Sequence, residues 1–159
     1  MKRKNLDRKV REYGKDYAQT NTEGAIREML AAIKLIDEGY RVSKPIVDYR
    51  YDLIAEKCPK YIRIQVKNLK LDSKKDPEQL SSINHWEIRA FSNPRGEKVV
   101  YDNKDVDVIF AINKETRDFA IVPIEKIPSS GIVKISEKSD RKDFLKSFKA
   151  LDDFKANPH

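Results

Sequence analysis

The sequence predicts a mixed α/β (α+β) fold in which helices flank a central mixed sheet. Three observations predict this class. An early segment repeats apolar residues at helical spacing, several short runs rich in β-branched and aromatic residues follow it, and the last part of the chain returns to helical spacing. The order helix, strands, helix is typical of an α/β or α+β domain. Because the chain has 159 residues, of which 39% are apolar, we expect one domain over residues 1–159.

The first helix is predicted to begin at a capping box. Thr20 precedes Glu23 by three residues, and in such a pair each side chain accepts a hydrogen bond from a free backbone N–H of the first turn. Apolar residues then recur at helical spacing for several turns. The helix should end near Asp37, because Gly39 readily adopts the left-handed conformation of a helix end. Residues 1–19 then form a basic leading segment.

Several strands are predicted after this helix. The runs that indicate them are Tyr40–Ser43, Tyr51–Ala55, Tyr61–Val66, Trp86–Phe91, Val106–Ile112 and Phe119–Ile124. The second and third should form a hairpin with its turn at Cys58-Pro59-Lys60. The charged stretch Lys70–Glu78 is predicted to be a mobile loop, and Asn93–Gly96 a turn. Residues 140–154 place four apolar side chains on one helical face, which predicts a C-terminal amphipathic helix that closes the domain or forms a dimer face.

The composition favours a soluble protein with a cytoplasmic, intracellular location. No apolar run approaches the roughly 18 residues of a membrane span, and the basic N-terminus lacks the apolar stretch of a signal peptide. We therefore expect no membrane partner. Cys58 is the only cysteine, which excludes an internal disulfide and a zinc site built from several thiolates.

Positive charge is concentrated in two segments. The net charge of the chain is +7. Residues 1–20 contain seven basic and three acidic side chains, and residues 56–75 contain seven basic and two acidic side chains. Clustered Lys and Arg is the pattern expected of a surface that displaces counterions from a phosphate backbone, although a solubilising lysine-rich surface has the same composition. The basic residues that we expect to contact nucleic acid are Lys57, Lys60, Lys70, Lys74, Lys75 and Arg95.

The predicted hairpin brings three polar residues to one edge. Side chains alternate across a strand, so Gln65 and Lys67 share one side while Val66 faces the core. Asp52 shares that side if the hairpin register allows it. A carboxylate, an amide oxygen and an ammonium group that meet there could hold a divalent metal and a phosphate.

Phosphodiester hydrolysis assigns a role to each of these residues. It needs oxygen ligands for Mg²⁺ (or Mn²⁺), a positioned water, and positive charge where the transition state becomes more negative. Asp52 can ligate the metal, the Gln65 carbonyl can be a neutral second ligand, and Lys67 can orient water and stabilise the transition state. A second carboxylate would strengthen the metal site, and Glu23 is the best candidate for it.

These residues resemble the motif of a known nuclease superfamily. An acidic residue in a first helix, then Arg50-Tyr51-Asp52-Leu53-Ile54, then Ile64-Gln65-Val66-Lys67, looks like the PD-(D/E)XK superfamily. Within it, the pattern is most similar to the small homing endonucleases encoded in group I introns, which use Gln where most relatives have an acid. Two departures are that no Pro directly precedes Asp52 and that Asn68 follows Lys67 where Thr or Ser is common.

The resemblance implies a restriction-endonuclease-like core and a Mg²⁺-dependent, site-specific DNA endonuclease. It implies that Asp52, Gln65, Lys67 and Glu23 are the catalytic residues, and that all of these except Lys67 are metal ligands. The partner would be double-stranded DNA. Because a small domain that recognises a long site usually duplicates itself, we expect a homo-oligomer, either a dimer or a tetramer.

Two other functions remain open on the sequence. A Holliday-junction resolvase of the same superfamily would fit the small size and basic surface, but such resolvases usually keep a carboxylate at the position of Gln65. A DNA-binding module with a degenerate site would also fit, because Gln65 removes one negative charge from the metal site.

Overall fold

The fold is taken from a computed structural model, which describes the backbone of residues 2–47, 49–75 and 82–155. Two helices, ten strands and three 3-10 turns lie within these residues. The helices are α1 (Lys2–Asp37) and α2 (Lys149–Asp152). The strands are β1 (Arg41–Ser43), β2 (Leu53–Lys57), β3 (Lys60–Asn68), β4 (Lys70–Lys75), β5 (Ser82–Arg89), β6 (Phe91–Ser92), β7 (Val99–Val100), β8 (Val108–Ile112), β9 (Phe119–Pro123) and β10 (Ile132–Ser136). The 3-10 turns are Pro94–Gly96, Ile124–Lys126 and Asp140–Phe144.

A five-stranded sheet in the order β1-β2-β3-β8-β9 forms the centre of the fold. It is a mixed sheet, because β3 pairs with β8 in parallel and the other neighbours are antiparallel. Every residue of β8 is buried, as expected of an uninterrupted apolar run that is covered on both faces. The prediction of a mixed α/β fold around a central mixed sheet is confirmed.

Helix α1 covers one face of the central sheet. Ala31 and Leu35 of α1 lie in one core cluster with Ile62, Ile64 and Val66 of β3. These three β3 residues alternate along the strand and therefore point to the same side. The helix ends where the sequence predicts, because Gly39 has a φ of +88°, a conformation that glycine adopts without strain.

A second, three-stranded sheet in the order β10-β5-β4 covers the other face. Trp86 and Ile88 of β5 share a core cluster with Ile109 and Ala111 of β8. The side of β3 that carries its odd-numbered residues therefore faces this second layer and the loops around it. The site residues of β3 belong to that side.

The structure corrects the predicted start of the first helix. α1 begins at Lys2, so Thr20 and Glu23 lie inside the helix and do not form a capping box. Residues 2–19 contain no proline and seven Lys and Arg residues, which allow a helix to continue through the segment. The backbone of the basic leading segment is helical, and its side chains lie outside the described part of the chain.

The predicted loop Lys70–Glu78 is also wrong over its first six residues. Lys70–Lys75 is strand β4, which pairs with β5 so that Leu71 lies opposite Trp86. Residues 76–78 lie outside the described residues. Strand β10 was missed, although Val133 and Ile135 alternate as buried residues in it.

The C-terminal segment is not a continuous amphipathic helix over residues 140–154. It consists of the 3-10 turn Asp140–Phe144 and the short helix α2. The helix is interrupted because the chain follows β9 between them: Leu145 forms a β-bridge with Ala120, and the Lys146 N–H donates to the carbonyl oxygen of Phe119 at 2.8 Å.

Among the helices in the described part of the chain, none combines the length and the apolar character that crossing a membrane requires.

Candidate active site

The start of the β2–β3 hairpin brings Asp52 to Gln65. Leu53 pairs with Ile64 in the antiparallel register, and one step further along the ladder Asp52 stands opposite Gln65. Two hydrogen bonds fix Asp52: its backbone N–H donates to the carbonyl oxygen of Ile64 at 2.9 Å, and its Oδ2 accepts the N–H of Val66, also at 2.9 Å. Because directly opposed residues point to the same side of a sheet, Asp52 and Gln65 share one face.

Gln65 is buried and has an unsatisfied acceptor. Its residue is 8% exposed, and within the described residues its Oε1 atom accepts no hydrogen bond. A buried carbonyl without a partner costs about 1–3 kcal/mol, so a structure seldom keeps one without a reason. A cation ligand would satisfy this oxygen, as the neutral ligand role predicted for Gln65 requires.

Lys67 lies on the same face, two residues further along β3. Its Nζ donates to the carbonyl oxygen of Phe91 at 3.2 Å and lies 4.9 Å from the centroid of the Tyr101 ring. Burial lowers the pKa of Lys67, the negative charge of Asp52 opposes that shift, and the charges of Arg27 and Arg50 add to it. The structure therefore brings Asp52, Gln65 and Lys67 together.

The carboxylate of Asp52 is poorly solvated. Burial raises its pKa to about 6, and the negative charge of Glu28 adds to the rise. The hydrogen bond from Val66 and the charges of Lys67 and Lys44 lower the pKa but only in part. The positive charges near Asp52 therefore do not offset its desolvation, and a divalent cation bound by this carboxylate and the unpaired amide oxygen would supply the charge that is still needed.

The donor set fits Mg²⁺ rather than zinc. Within the described residues no three His, Cys, Asp or Glu side chains form a group that could hold a metal ion. Asp52 and Gln65 supply two oxygen ligands, and Mg²⁺ is commonly bound by few protein oxygens with waters completing the octahedron. These two residues are therefore the part of the described chain that could hold such an ion.

The two acidic residues of α1 differ in what they contact. Glu23 accepts a hydrogen bond from Lys114 Nζ at 3.1 Å and lies 3.9 Å from Arg27. Glu28 pairs with Lys44 and is the α1 carboxylate whose charge raises the pKa of Asp52. Sequence reasoning missed Glu28. Its helical phase could have revealed it, because residues 28, 31 and 35 share the face of α1 that packs on the sheet.

Arg50 is a second residue that sequence reasoning left without a role. Its Nη1 pairs with Asp105 Oδ2 at 3.0 Å, and its guanidinium carbon lies 5.0 Å from the centroid of the Tyr101 ring. Within the described residues its Nη2 is buried and has no acceptor. Arg50 and Lys67 thus flank one aromatic ring, and an anion held between them would find both a guanidinium and an ammonium donor.

With this geometry established, comparison with known proteins identifies the fold family. A sequence model described as PD-(D/E)XK endonuclease matches residues 18–157 of the chain. The chain belongs to the PD-(D/E)XK endonuclease family. The matched range includes the hairpin and the parts of α1 and β8 that surround it, so the resemblance to this superfamily is confirmed.

A solved relative shows the same fold. The bacterial homing endonuclease I-Ssp6803I matches with a TM-score of 0.64 and 20% sequence identity, over 83% of this chain and 92% of that one. This likeness confirms the restriction-endonuclease-like PD-(D/E)XK fold. No curated protein sequence matches the chain.

The basic residues expected to contact DNA occupy different parts of this PD-(D/E)XK fold. Lys57 and Lys60 lie at the turn of the hairpin, about 17 Å along β2 from Asp52. Lys57 is 3.5 Å from the Glu38 carbonyl oxygen, and Lys60 donates to that of Asp152. The turn of the hairpin therefore does not adjoin the candidate site.

The remaining basic residues lie on other loops and strands. Arg95 is exposed in the 3-10 turn that follows β6, and β6 begins at Phe91, whose carbonyl accepts from Lys67. Lys70 is exposed in β4, opposite Glu87 of β5. The side chains of Lys74 and Lys75 lie outside the described residues. Of this set, Lys70 is the nearest to Lys67 along the chain, and Arg95 lies four residues after Phe91, which contacts Lys67.

Proposed function

We propose that the protein is a metal-dependent DNA endonuclease that hydrolyses phosphodiester bonds at the Asp52–Gln65–Lys67 site. One observation carries the proposal. A carboxylate with a raised pKa, a buried amide oxygen without a partner and a lysine with a lowered pKa meet on one strand edge, and these groups fit the needs of a metal-bound phosphate. Membership of an endonuclease family supports it.

The metal is assigned to Asp52 and Gln65, with Mg²⁺ or Mn²⁺ as the ion. Bound there, such an ion would neutralise phosphate charge and make a coordinated water more acidic. The Val66 N–H holds Asp52 Oδ2 in place, so the carboxylate does not need to reorganise when the substrate arrives. Glu28, whose charge already reaches Asp52, is the α1 carboxylate that we assign to support of the metal site, in place of Glu23.

Lys67 and Arg50 act on the phosphate. The hydrogen bond from Lys67 Nζ to the Phe91 carbonyl uses one of the three ammonium protons, which leaves protons to orient the attacking water and to donate to a phosphate oxygen. Arg50 Nη2, which has no acceptor within the described residues, supplies a second donor where the transition state becomes more negative. Fixed donors of this kind lower the barrier because they are already oriented.

We infer that the substrate is double-stranded DNA and that recognition is site-specific, of the homing type. The net charge of +7 supports a polyanionic substrate. The fold shared with I-Ssp6803I, which is described as a homing endonuclease, supports the homing type. The described part of one chain has one such site, and two sites can cleave both strands at one locus, which supports a homo-oligomer.

The experiment that tests this function uses a plasmid library carrying random inserts. The wild-type protein with Mg²⁺ should cut a small subset of the plasmids, and sequencing of the breakpoints should return one long motif. EDTA should stop the reaction, and religation of the products should show intact 5′-phosphate and 3′-hydroxyl ends, as hydrolysis of the P–O3′ bond leaves them. Breakpoints without a common sequence would refute site-specific recognition, and preferential cutting of four-way junctions would favour a resolvase. A lack of cleavage in Mg²⁺ and in Mn²⁺ would refute the nuclease assignment.

A further inference from the structure

Helix α1 exposes an apolar stripe on the side that faces away from the sheet. Met29, Ile33 and Ile36 are 59%, 62% and 58% exposed. They are four and three residues apart, so they lie on one face of the helix, and Ile26 continues the same spacing by three. We call Ile26, Met29, Ile33 and Ile36 the outer stripe.

Between residues 20 and 36 the charged residues of this helix are on its other side. All four charged side chains between residues 20 and 36 are half-buried. Glu23 and Arg27 pair with each other, Glu28 pairs with Lys44, and Lys34 lies over the Phe119 ring. In these turns the charged side chains therefore lie toward the sheet, and the outward face carries large apolar residues. A surface helix of a monomer has the reverse arrangement.

The exposed area is of the size at which apolar patches are commonly functional. Scattered exposed apolar residues are normal on a protein surface. A contiguous stripe is different: together the three most exposed side chains present on the order of 300 Å² of apolar surface, a size at which patches on soluble proteins are commonly functional. A stable interface buries about 800 Å² per partner, so the outer stripe would be the apolar centre of such an interface.

We infer that the outer stripe packs against the outer stripe of a second copy of the chain about a two-fold axis. This inference rests on the proposed function and names the surface through which the proposed homo-oligomer forms. The stripe is self-complementary, because a spacing of three, four and three residues is that of a helix pair in which each apolar residue packs between those of its neighbour. A two-fold interface requires such self-complementarity.

Charge also selects a second copy as the occupant. The chain carries a net charge of +7, so two copies repel each other over most of their surfaces. The outer stripe and the two residues that precede it on that face, Thr22 and Ala25, are uncharged, so these turns of the helix can meet their own copy without placing like charges in contact. DNA is a poor occupant of the same face, because it requires Lys and Arg to neutralise phosphates.

The position of the interface fits the reaction. The inner side of the same helix carries Arg27 and Glu28, whose charges act on Lys67 and Asp52. Two copies paired through α1 would therefore hold two active sites in a fixed relation to each other.

Sedimentation velocity of the free protein, without DNA or metal, tests the interface. The wild type should sediment as a dimer or larger species at micromolar concentration. Ile33→Lys should sediment as a species of half the wild-type mass, which is a monomer if the wild type is a dimer. Tyr61→Lys is the matched control, because Tyr61 is 60% exposed and lies on β3 rather than on α1; it should keep the wild-type mass. Far-ultraviolet circular dichroism should show all three proteins folded.

A cross-link gives a second and independent readout. In a Cys58→Ser background, which removes the exposed native cysteine, Ile33→Cys should form a disulfide-linked dimer under mild oxidation and Tyr61→Cys should not. The inference is overturned if the wild type sediments as a monomer, if Ile33→Lys keeps the wild-type mass, if Tyr61→Lys dissociates equally, or if Tyr61→Cys cross-links as well as Ile33→Cys. These readouts need no DNA cleavage, so a failure of the nuclease assignment and a failure of the interface are seen separately.

Discussion

Replacing Asp52 with Asn should stabilise the folded protein while it abolishes DNA cleavage. Asn is the same size as Asp and keeps an oxygen that can accept the Val66 N–H, so the substitution changes mainly the charge. The folded protein binds the Asp52 proton more tightly than the unfolded chain does, because burial raises the pKa from 3.8 to about 6. The charged form therefore costs stability in the folded state.

The size and pH range of the effect follow from that shift. One pKa unit corresponds to 1.36 kcal/mol, so the charge on Asp52 costs about 3 kcal/mol when the site holds no metal. The cost is absent below the unfolded pKa of 3.8, grows as the pH rises, and is complete above about 6. At pH 7.5 Asp52→Asn should raise the free energy of unfolding by about 3 kcal/mol, and at pH 3.8 or below by much less.

Urea denaturation in EDTA at pH 7.5 and at acidic pH measures this difference. The matched control is Asp107→Asn, since Asp107 accepts hydrogen bonds from the N–H, Nε and Nη2 groups of Arg63 at 2.8, 3.2 and 2.9 Å. Loss of that partnered carboxylate should lower the free energy of unfolding at pH 7.5. Adding Mg²⁺ should stabilise the wild type and leave Asp52→Asn unchanged. An Asp52→Asn variant that is no more stable than the wild type at pH 7.5 would refute this prediction.

Three further substitutions separate the roles within the site. Gln65→Glu should keep the cleavage rate within about tenfold of that of the wild type. It should also tighten Mg²⁺ binding measured by calorimetry, because it adds a negative charge to the metal ligands. Cleavage activity that appears only in this variant would instead show that the native site is degenerate. Arg50→Met should lower the single-turnover cleavage rate about 100-fold, by loss of a phosphate donor, and an unchanged rate would remove Arg50 from the mechanism. Glu28→Gln should weaken Mg²⁺ binding about tenfold or more, as loss of a supporting carboxylate does, whereas its matched control Glu23→Gln should change it less; the opposite order would restore Glu23 as the α1 carboxylate.

The sequence predicted those parts of the fold in which local pattern and tertiary packing agree. Strand β3 alternates Ile62, Ile64 and Val66 with polar residues, and its apolar side is the core side. Because successive side chains of a strand alternate between its two faces, the same pattern places Gln65 and Lys67 together on the opposite face. The end of α1 at Gly39 was predictable because it depends on one local conformation.

The misses lie where the decisive contact is distant in sequence. Strand β4 contains mainly polar residues, and it is a strand because it pairs with β5; no alternation within it shows this. Residues 145 and 146 leave the helical pattern because they follow β9. The role of Glu28 depends on the phase of α1 over the hairpin, and that of Arg50 on its packing against Tyr101. These contacts form only in the assembled fold, so the sequence pattern of a single segment does not show them.

The most direct test of the proposed function is the single-turnover cleavage rate of the recovered DNA site with Mg²⁺, for the wild type and for Lys67→Met. Methionine keeps the length and most of the apolar volume of lysine but removes its charge, and Lys67 is partly buried, so the variant should fold as the wild type does. We expect Mg²⁺-dependent cleavage by the wild type and a rate at least about 100-fold lower for Lys67→Met. Equal rates for the two proteins, or equal wild-type rates in Mg²⁺ and in EDTA, would contradict this expectation.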